Sequence, residues 1–358
     1  MNICYKEGVK ISFDDDNEHS VKYINKLTNE VLYEEKCINN SYCPIRYFVP
    51  WIIKIDNEII EYFDLTDKKV LIRINSNKTI GDLIAFTPYS VEFKKFNNCD
   101  VYLYTPNNSW FSGLEEYKTI KFVEEKDGDY YVIYDIGCFK KSQSEWDTLY
   151  HRNGKPNILP LQKVSSDILG LPHKEINLGL SIKPLDNKIS KKYVVISPEA
   201  TMRCKQWTDR NWIELSKNLM SLGYDVVSIT KHSHRINGVV NYYNISIQEI
   251  VTLLYYSEFL VGLSSGISWI NWSLKKHTFM IAGFTKPTHE FIQNNTRLYV
   301  ENSCISCWTH PDYVFNSNDF DWCPLHKFTD NEFICQRVIT PILVFNEIKK
   351  YIENKKPS

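Results

Sequence analysis

The spacing of apolar and polar residues changes character along the chain and divides it into blocks. From Val9 to about Asp64, apolar and polar residues alternate over Lys10–Phe13, Ser20–Asn25, Glu30–Glu34 and Arg46–Lys54, between turns rich in Asn and Asp. Period-two alternation predicts short half-buried strands, and so a β-rich module over residues 1–66. Within it, VKYINKLTNEVLYEE predicts a hairpin turning at Leu27-Thr28-Asn29, with edges free to pair with another chain. From residue 67 the texture alternates between apolar runs at Val70–Ile74, Val101–Tyr104 and Tyr130–Tyr134 and helical stretches such as Ile80–Phe96. This predicts an α/β block with a parallel sheet over 67–172. Its last part, His151–Pro172, is polar and proline-bearing, with a short helix at Leu161–Leu169 ended by Gly170.

A second α/β block occupies 173–358. It opens on the strand Tyr193–Ser197 and the helix Asn211–Ser221, capped by Gly223, and continues through the strand Asp225–Ile229 and the helix Ile247–Tyr256. The run Phe259-Leu260-Val261 then reads as a buried strand, Gly262, Ser264, Ser265 and Gly266 as a tight turn, and Ile267–Leu274 as an amphipathic helix. Thr278–Ala282 is the next strand and Pro341–Glu353 a helical tail. Two nucleotide-binding-type blocks in series predict a two-domain enzyme with a cleft between them.

Composition narrows the function classes. Lys plus Arg (42) nearly equals Asp plus Glu (43), so no basic field attracts nucleic acid or an anionic membrane. The start, MNICYKEGVKISFDDD, has no basic segment followed by an apolar stretch, and no later run reaches membrane-spanning length. The expectation is a soluble cytoplasmic protein. Ten cysteines without an export signal then argue for reduced thiols, and clustered ones for metal.

Such a cluster is present. Cys304, Cys307, Cys323 and Cys335 follow the spacing C-x2-C-x15-C-x11-C within 304–335, where the first pair has the reach of a metal knuckle. Four sulfur ligands leave no open position, so the ion would be structural. Sulfur ligation admits iron or zinc. Cys4, Cys37, Cys43, Cys99, Cys138 and Cys204 lack knuckle spacing and read as small apolar residues.

The remaining chemistry sits at strand ends. Ser264, Ser265 and Gly266 open a helix whose unpaired N–H groups and dipole favour a diphosphate. Asp82, after the strand Val70–Ile74 and the loop Asn77-Lys78-Thr79-Ile80-Gly81, is a candidate general base. Lys205, in SPEATMRCKQW, is placed to neutralise a phosphate, and Thr285 and Lys286 of GFTKP offer a hydroxyl and a cation.

In order along the chain, Gly81-Asp82, LQKVSSDILGL, CKQW, GLSSGISWINWSL, GFTKPTHEF and the four-cysteine segment resemble the bacterial autotransporter O-heptosyltransferases, a heptosyltransferase (GT9-like) group of GT-B fold. The resemblance implies two Rossmann-like domains facing a cleft, the first (67–172) on the acceptor side and the second (173–358) binding the nucleotide sugar. It implies inverting transfer of heptose from ADP-glycero-manno-heptose to serine hydroxyls of an autotransporter adhesin in the cytoplasm. Asp82 then matches the general base and Lys205 a donor-binding lysine. Ser264, Ser265 and Gly266 match the phosphate-facing turn, and Lys286 falls in the matching GFxKP-type loop. The four cysteines match a structural iron site, and the assembly a homo-oligomer as large as a dodecameric ring. Where the family has a His-Ser-Thr type turn, this chain has Pro198-Glu199-Ala200-Thr201, so only Thr201 supplies a comparable hydroxyl. Alternatives are a GT-B enzyme for another nucleotide sugar or acceptor, and a non-enzymatic scaffold built on the metal knuckle.

Overall fold

A computed structural model of the chain describes residues 1–75, 79–178, 180, 187, 189, 191–232 and 235–355. The chain forms two compact units. The first comprises Met1–Lys78, Phe86–Pro156 and Gln162–Ile176, and the second Thr79–Ala85, Asn157–Leu161 and Asn177–Ser358.

In the first unit the N-terminal residues pair antiparallel. One sheet joins Asn2–Cys4, Val9–Ser12 and Asn40–Cys43, and another runs Val31–Cys37, His19–Asn25, Trp51–Ile55, Glu58–Tyr62. Alternation does its expected work on the inner strands, burying Val21, Tyr23, Trp51, Ile53 and Ile55. The hairpin turns through Asn29 at φ 57°, a left-handed conformation that Asn tolerates. The predicted strand Arg46–Lys54 is shorter than expected, spanning only Trp51–Ile55, because Pro50 cannot donate to a ladder. Glu58–Tyr62 is an edge strand with mostly exposed side chains, which leaves no pattern to find.

Next to these strands lies a parallel sheet in the order Lys121–Phe122, Asp100–Tyr104, Lys69–Ile74, Val132–Ile136. Arg73 ties the two parts of the unit together. Its Nε donates to Asp135 Oδ1 at 2.7 Å and its Nη2 to Glu7 Oε1 at 2.9 Å. The helix Leu161–Ile168 ends at Gly170, whose φ of 65° and contact with Phe48 both exclude a side chain, since an added Cβ would overlap the ring. The predicted helix Ile80–Phe96 is two helices, Ile80–Phe86 and Pro88–Asn97. Pro88 has no N–H to continue the first and takes the N-terminal position of the second.

In the second unit six parallel strands run Val240–Tyr243, Asp225–Thr230, Tyr193–Ile196, Leu260–Leu263, Thr278–Ile281, Asn295–Leu298. In chain order this is 3-2-1-4-5-6, so the order reverses between Tyr193–Ile196 and Leu260–Leu263, where open α/β sheets bind ligands. The inner strands are buried throughout, as the unbroken apolar runs require. Helix Asp209–Ser221 is capped by Thr208, whose hydroxyl accepts from the Asn211 N–H. Helix Ile247–Tyr256 starts with a capping box of Ser246 and Glu249. The apolar faces of Asp209–Ser221 and Pro341–Lys355, with Trp212, Leu215, Leu219, Val344 and Ile348, close on Phe259, Val261 and Phe279. Among the described residues no helix is long and apolar enough to cross a membrane.

Candidate functional site

The predicted site residues of both blocks fall in the second unit, because Thr79–Ala85 clusters there and brings Asp82 with it. Strand Leu260–Leu263 delivers Ser264 and Ser265 to the start of helix Gly266–Ser273. Ser265 is extended at the N-cap, and its side chain caps nothing. Ser268 Oγ donates to the Leu263 carbonyl at 2.7 Å, which pins the turn from below. On this turn sits the segment bearing Asp82. A Cβ on Gly266 would lie 3.1 Å from Ile80 Cβ and 3.3 Å from the Gly81 nitrogen, and one on Gly81 would lie 2.9 Å from Trp269. Two glycines thus let backbone meet backbone. Of the loop before Asp82, Asn77 and Lys78 lie outside the described residues.

Asp82 stands in the first turn of its helix and accepts from Thr79 Oγ1 at 2.5 Å. Burial pushes its carboxyl above the usual aspartate range, against the opposing pull of the Thr79 hydrogen bond and the Lys205 charge. Lys205 ends a short 3-10 turn, Arg203–Lys205, beyond the strand Tyr193–Ile196. Its Nζ lies 5.3 Å from the centre of the Phe284 ring, within cation–π range. Its backbone carbonyl accepts from Gln336 Nε2 at 2.8 Å. Thr201 is exposed in the loop before this turn, and Lys286 is exposed after Thr285.

Behind the turn is a buried ion pair not anticipated from the sequence. Arg297 meets Glu290 with side chains 7% and 2% exposed. Burial alone would raise the Glu290 carboxyl; the Arg297 charge, His289 and hydrogen bonds from Ser264 and Arg297 outweigh it and hold it at about 2. Ser264 Oγ donates to Glu290, and Thr285 Oγ1 donates to Glu290 Oε1 at 3.1 Å while accepting from Arg297. The predicted Ser264 and Thr285 hydroxyls are therefore engaged by the pair. Ser265 Oγ is buried and has no partner among the described residues. Burial, helped by Arg297 and Lys205, keeps His289 below the usual imidazole range, with Nδ1 3.2 Å from the Leu159 carbonyl.

The cysteine segment packs on the same loops. Cys307, Cys323 and Cys335 are buried and Cys304 half-buried, and Cys307 and Cys304 pack in an apolar cluster with Met202, Phe284 and Trp322. Cys204, read from the sequence as an isolated apolar residue, belongs to that cluster. Burial raises the thiols of Cys204, Cys307 and Cys335 to about 12, and the thiols act on one another. Among the described residues no group of three or more His, Cys, Asp or Glu is arranged to hold a metal ion. Cys335 abuts Gly283, where an added Cβ would lie 2.8 Å from the Cys335 Cβ.

A parallel sheet whose order reverses at a helix start, with a carboxyl and an ammonium beside it, is a place where open α/β sheets bind ligands. The sequence model of glycosyltransferase family 9 (heptosyltransferase) matches residues 162–313. The autotransporter heptosyltransferase Aah of Escherichia coli is 32% identical over 77% of this chain and 72% of its own length. BAHTCr of Citrobacter rodentium, also an autotransporter heptosyltransferase, is 28% identical over 95% of this chain and 86% of its own. In structure the chain superposes on TibC of enterotoxigenic E. coli, a dodecameric iron-containing heptosyltransferase solved in complex with ADP-D-beta-D-heptose. That match has a TM-score of 0.87 at 24% identity and covers 98% of this chain and 95% of TibC. The fold is thus the α/β fold with parallel sheets of the GT-B heptosyltransferases. This chain belongs to the autotransporter heptosyltransferase family, and it is a glycosyltransferase.

The ion pair generates a stability prediction. Replacing Glu290 by Ala leaves Arg297 buried without its counter-charge and frees the Ser264 and Thr285 hydroxyls. It should cost roughly 3–5 kcal/mol in chemical denaturation. A loss below about 1 kcal/mol would show that Arg297 finds a new partner or water.

Proposed function

We propose that this chain moves heptose from ADP-glycero-manno-heptose to serine hydroxyls of an autotransporter adhesin, with inversion at the sugar. The observation that carries the reading is the meeting, within one unit, of the Asp82 carboxyl, the Lys205 charge and the glycine-packed start of helix Gly266–Ser273. The serine oxygen forms a bond to the anomeric carbon as the bond from that carbon to the diphosphate oxygen breaks. The serine proton passes to Asp82, and ADP leaves with the electron pair. Burial that raises the Asp82 pKa makes it a stronger base than a solvated aspartate.

Lys205 and the unpaired N–H groups of the turn stabilise the charge growing on the diphosphate. With the hydroxyls of Ser264 and Thr285 held by Glu290, these two positions and Gly266 serve the donor through their backbone. Ser265 has a free hydroxyl for it. Thr201 and Lys286, both exposed, complete the donor set. In this reading the block 173–358 takes the donor and 67–172 the acceptor.

Cys304, Cys307, Cys323 and Cys335 would hold a structural iron, with zinc the alternative. The chemistry of the set supports such an ion, although the thiols are not arranged to hold one here: four thiols that act on one another, three of them buried, form thiolates readily only beside a cation. Bound, the ion supplies a cross-link to a segment with little regular structure and takes no part in transfer. The N-terminal module (1–66), with its hairpin Val21–Glu35, offers strand edges for assembly into a homo-oligomer, in the extreme a dodecameric ring. The reaction belongs in the cytoplasm, where the adhesin is met before export.

Variants, the rate profile and the metal content test this reading. In calorimetry Asp82→Asn should bind ADP-heptose like the parent yet transfer it about a hundredfold to ten-thousandfold more slowly, whereas in Lys205→Ala donor affinity and turnover should both fall. Because Asp82 is inactive once protonated and its pKa is raised, the acid limb of the parent's rate profile should lie above the ordinary aspartate range. Parent-like transfer by Asp82→Asn removes it as base; parent-like binding by Lys205→Ala removes it as a phosphate ligand. For the metal, elemental analysis should find about one iron or zinc per chain, lost in Cys323→Ser together with solubility. Purified parent protein free of both metals rules the site out.

A further inference from the structure

Gln336 follows the last cysteine of the knuckle and has its side chain buried between two loops of the candidate donor site. Its Nε2 donates to the Lys205 carbonyl at 2.8 Å, and its Oε1 accepts from the Gly283 N–H at 3.3 Å. One amide therefore joins the loop of the phosphate lysine to the loop that carries Phe284, Thr285 and Lys286. Phe284 in turn lies under Lys205 Nζ. The ammonium is thus located twice, by its own backbone and by the ring beneath it, and Gln336 holds the backbone on both sides.

The chemistry of the position is restrictive. It needs a donor and an acceptor on one side chain at this reach. Glutamate offers only acceptors when ionised, lysine only donors, and asparagine is one methylene shorter. The loops cannot adjust freely to a substitute. Gly283 abuts Cys335 so closely that no side chain fits, the Gly283 carbonyl accepts from the Ser306 N–H at 2.7 Å, and the Phe284 carbonyl accepts from Trp308 at 3.1 Å. The Lys205 turn has backbone bonds of its own, from the Lys205 N–H to the Met202 carbonyl at 3.1 Å, the Gln206 N–H to the Arg203 carbonyl at 3.0 Å and the Arg203 N–H to the Phe320 carbonyl at 3.2 Å, and the Gln336 amide adds the bond that ties its last carbonyl to the 283–286 loop.

We infer that Gln336 is a positioning residue that sets Lys205 against the donor diphosphate by bracing the 203–205 turn on the 283–286 loop. This deepens the proposed function and rests on Lys205 facing a diphosphate. Gln336 touches no substrate. Its contribution appears only through Lys205, and it should therefore vanish when the lysine is removed.

The test uses the full chain with two variants, Gln336→Met, which keeps length and loses both bonds, and Gln336→Glu, which keeps the acceptor for Gly283 and loses the donor for Lys205. Calorimetry with ADP-heptose should show donor binding weakened about fivefold to tenfold in both, and turnover at saturating donor should fall by less than in Lys205→Ala. Amide exchange in the donor-free protein should show Gly283 deprotected in Gln336→Met and protected in Gln336→Glu. In a Lys205→Ala background Gln336→Met should weaken donor binding no further. Donor affinity within twofold of the parent in both variants overturns the inference, as does a further loss on top of Lys205→Ala. If the parent itself binds no ADP-heptose the functional reading fails, and unchanged Gly283 exchange in Gln336→Met then overturns the brace on its own.

Discussion

Between Gly81 and Gly266 there is no room for a side chain, and the rest of the site follows from that contact. The strand–turn–helix of Leu260–Ser273 presents N–H groups at its turn, but N–H groups alone only bind an anion. Chemistry needs a base at a fixed offset from them. Because backbone lies against backbone, with Trp269 under Gly81, the helix that carries Asp82 begins on the 264–266 turn itself. The Lys205 charge is then near enough to act on the Asp82 carboxyl within the same unit. A methyl group at Gly266 would press on Ile80 and the Gly81 nitrogen and one at Gly81 on Trp269, displacing them by a few tenths of an ångström, a distance that positioned catalysis feels.

The support behind the turn is electrostatic. A small-residue turn has little side-chain mass to hold it, and serine hydroxyls buried without partners would weaken it. Glu290 answers both at Ser264 and Thr285 by accepting from their hydroxyls while Arg297 neutralises it, and leaves the Ser265 hydroxyl unpaired. The same bonds change what the turn can offer a ligand. The Ser264 and Thr285 hydroxyls that looked like donor contacts are spent inside the protein, so in the functional reading the backbone and the unpaired Ser265 hydroxyl are left for a ligand. On the other side the cysteine segment braces the loops through Gly283 and Gln336.

Much of this was legible in the sequence, for physical reasons. Strands buried on both faces must be unbroken apolar runs, so Tyr193–Ile196, Leu260–Leu263 and Thr278–Ile281 announced themselves. The turn at 264–266 and the family resemblance were readable for the same reason: small residues in that order have few other uses. Edge strands carry no such signal, and Val240–Tyr243 and the polar Asn295–Leu298 were missed. With the latter went Arg297, and with Arg297 the reason for Glu290. The break at Pro88 was legible and overlooked. That Thr79–Ala85 clusters with the second unit was not, since membership rests on contacts between residues far apart in sequence. Cys204 has no spacing to mark it; only folding brings it to the other cysteines.

The central claim is that these groups act together to place heptose on a protein. Intact mass of an autotransporter adhesin co-expressed with the chain, in a host that makes ADP-heptose and in one that does not, tests it most directly. The account predicts mass increments of whole heptoses in the first host and an unmodified adhesin in the second. An adhesin unmodified in both, or modified equally in both, would contradict it.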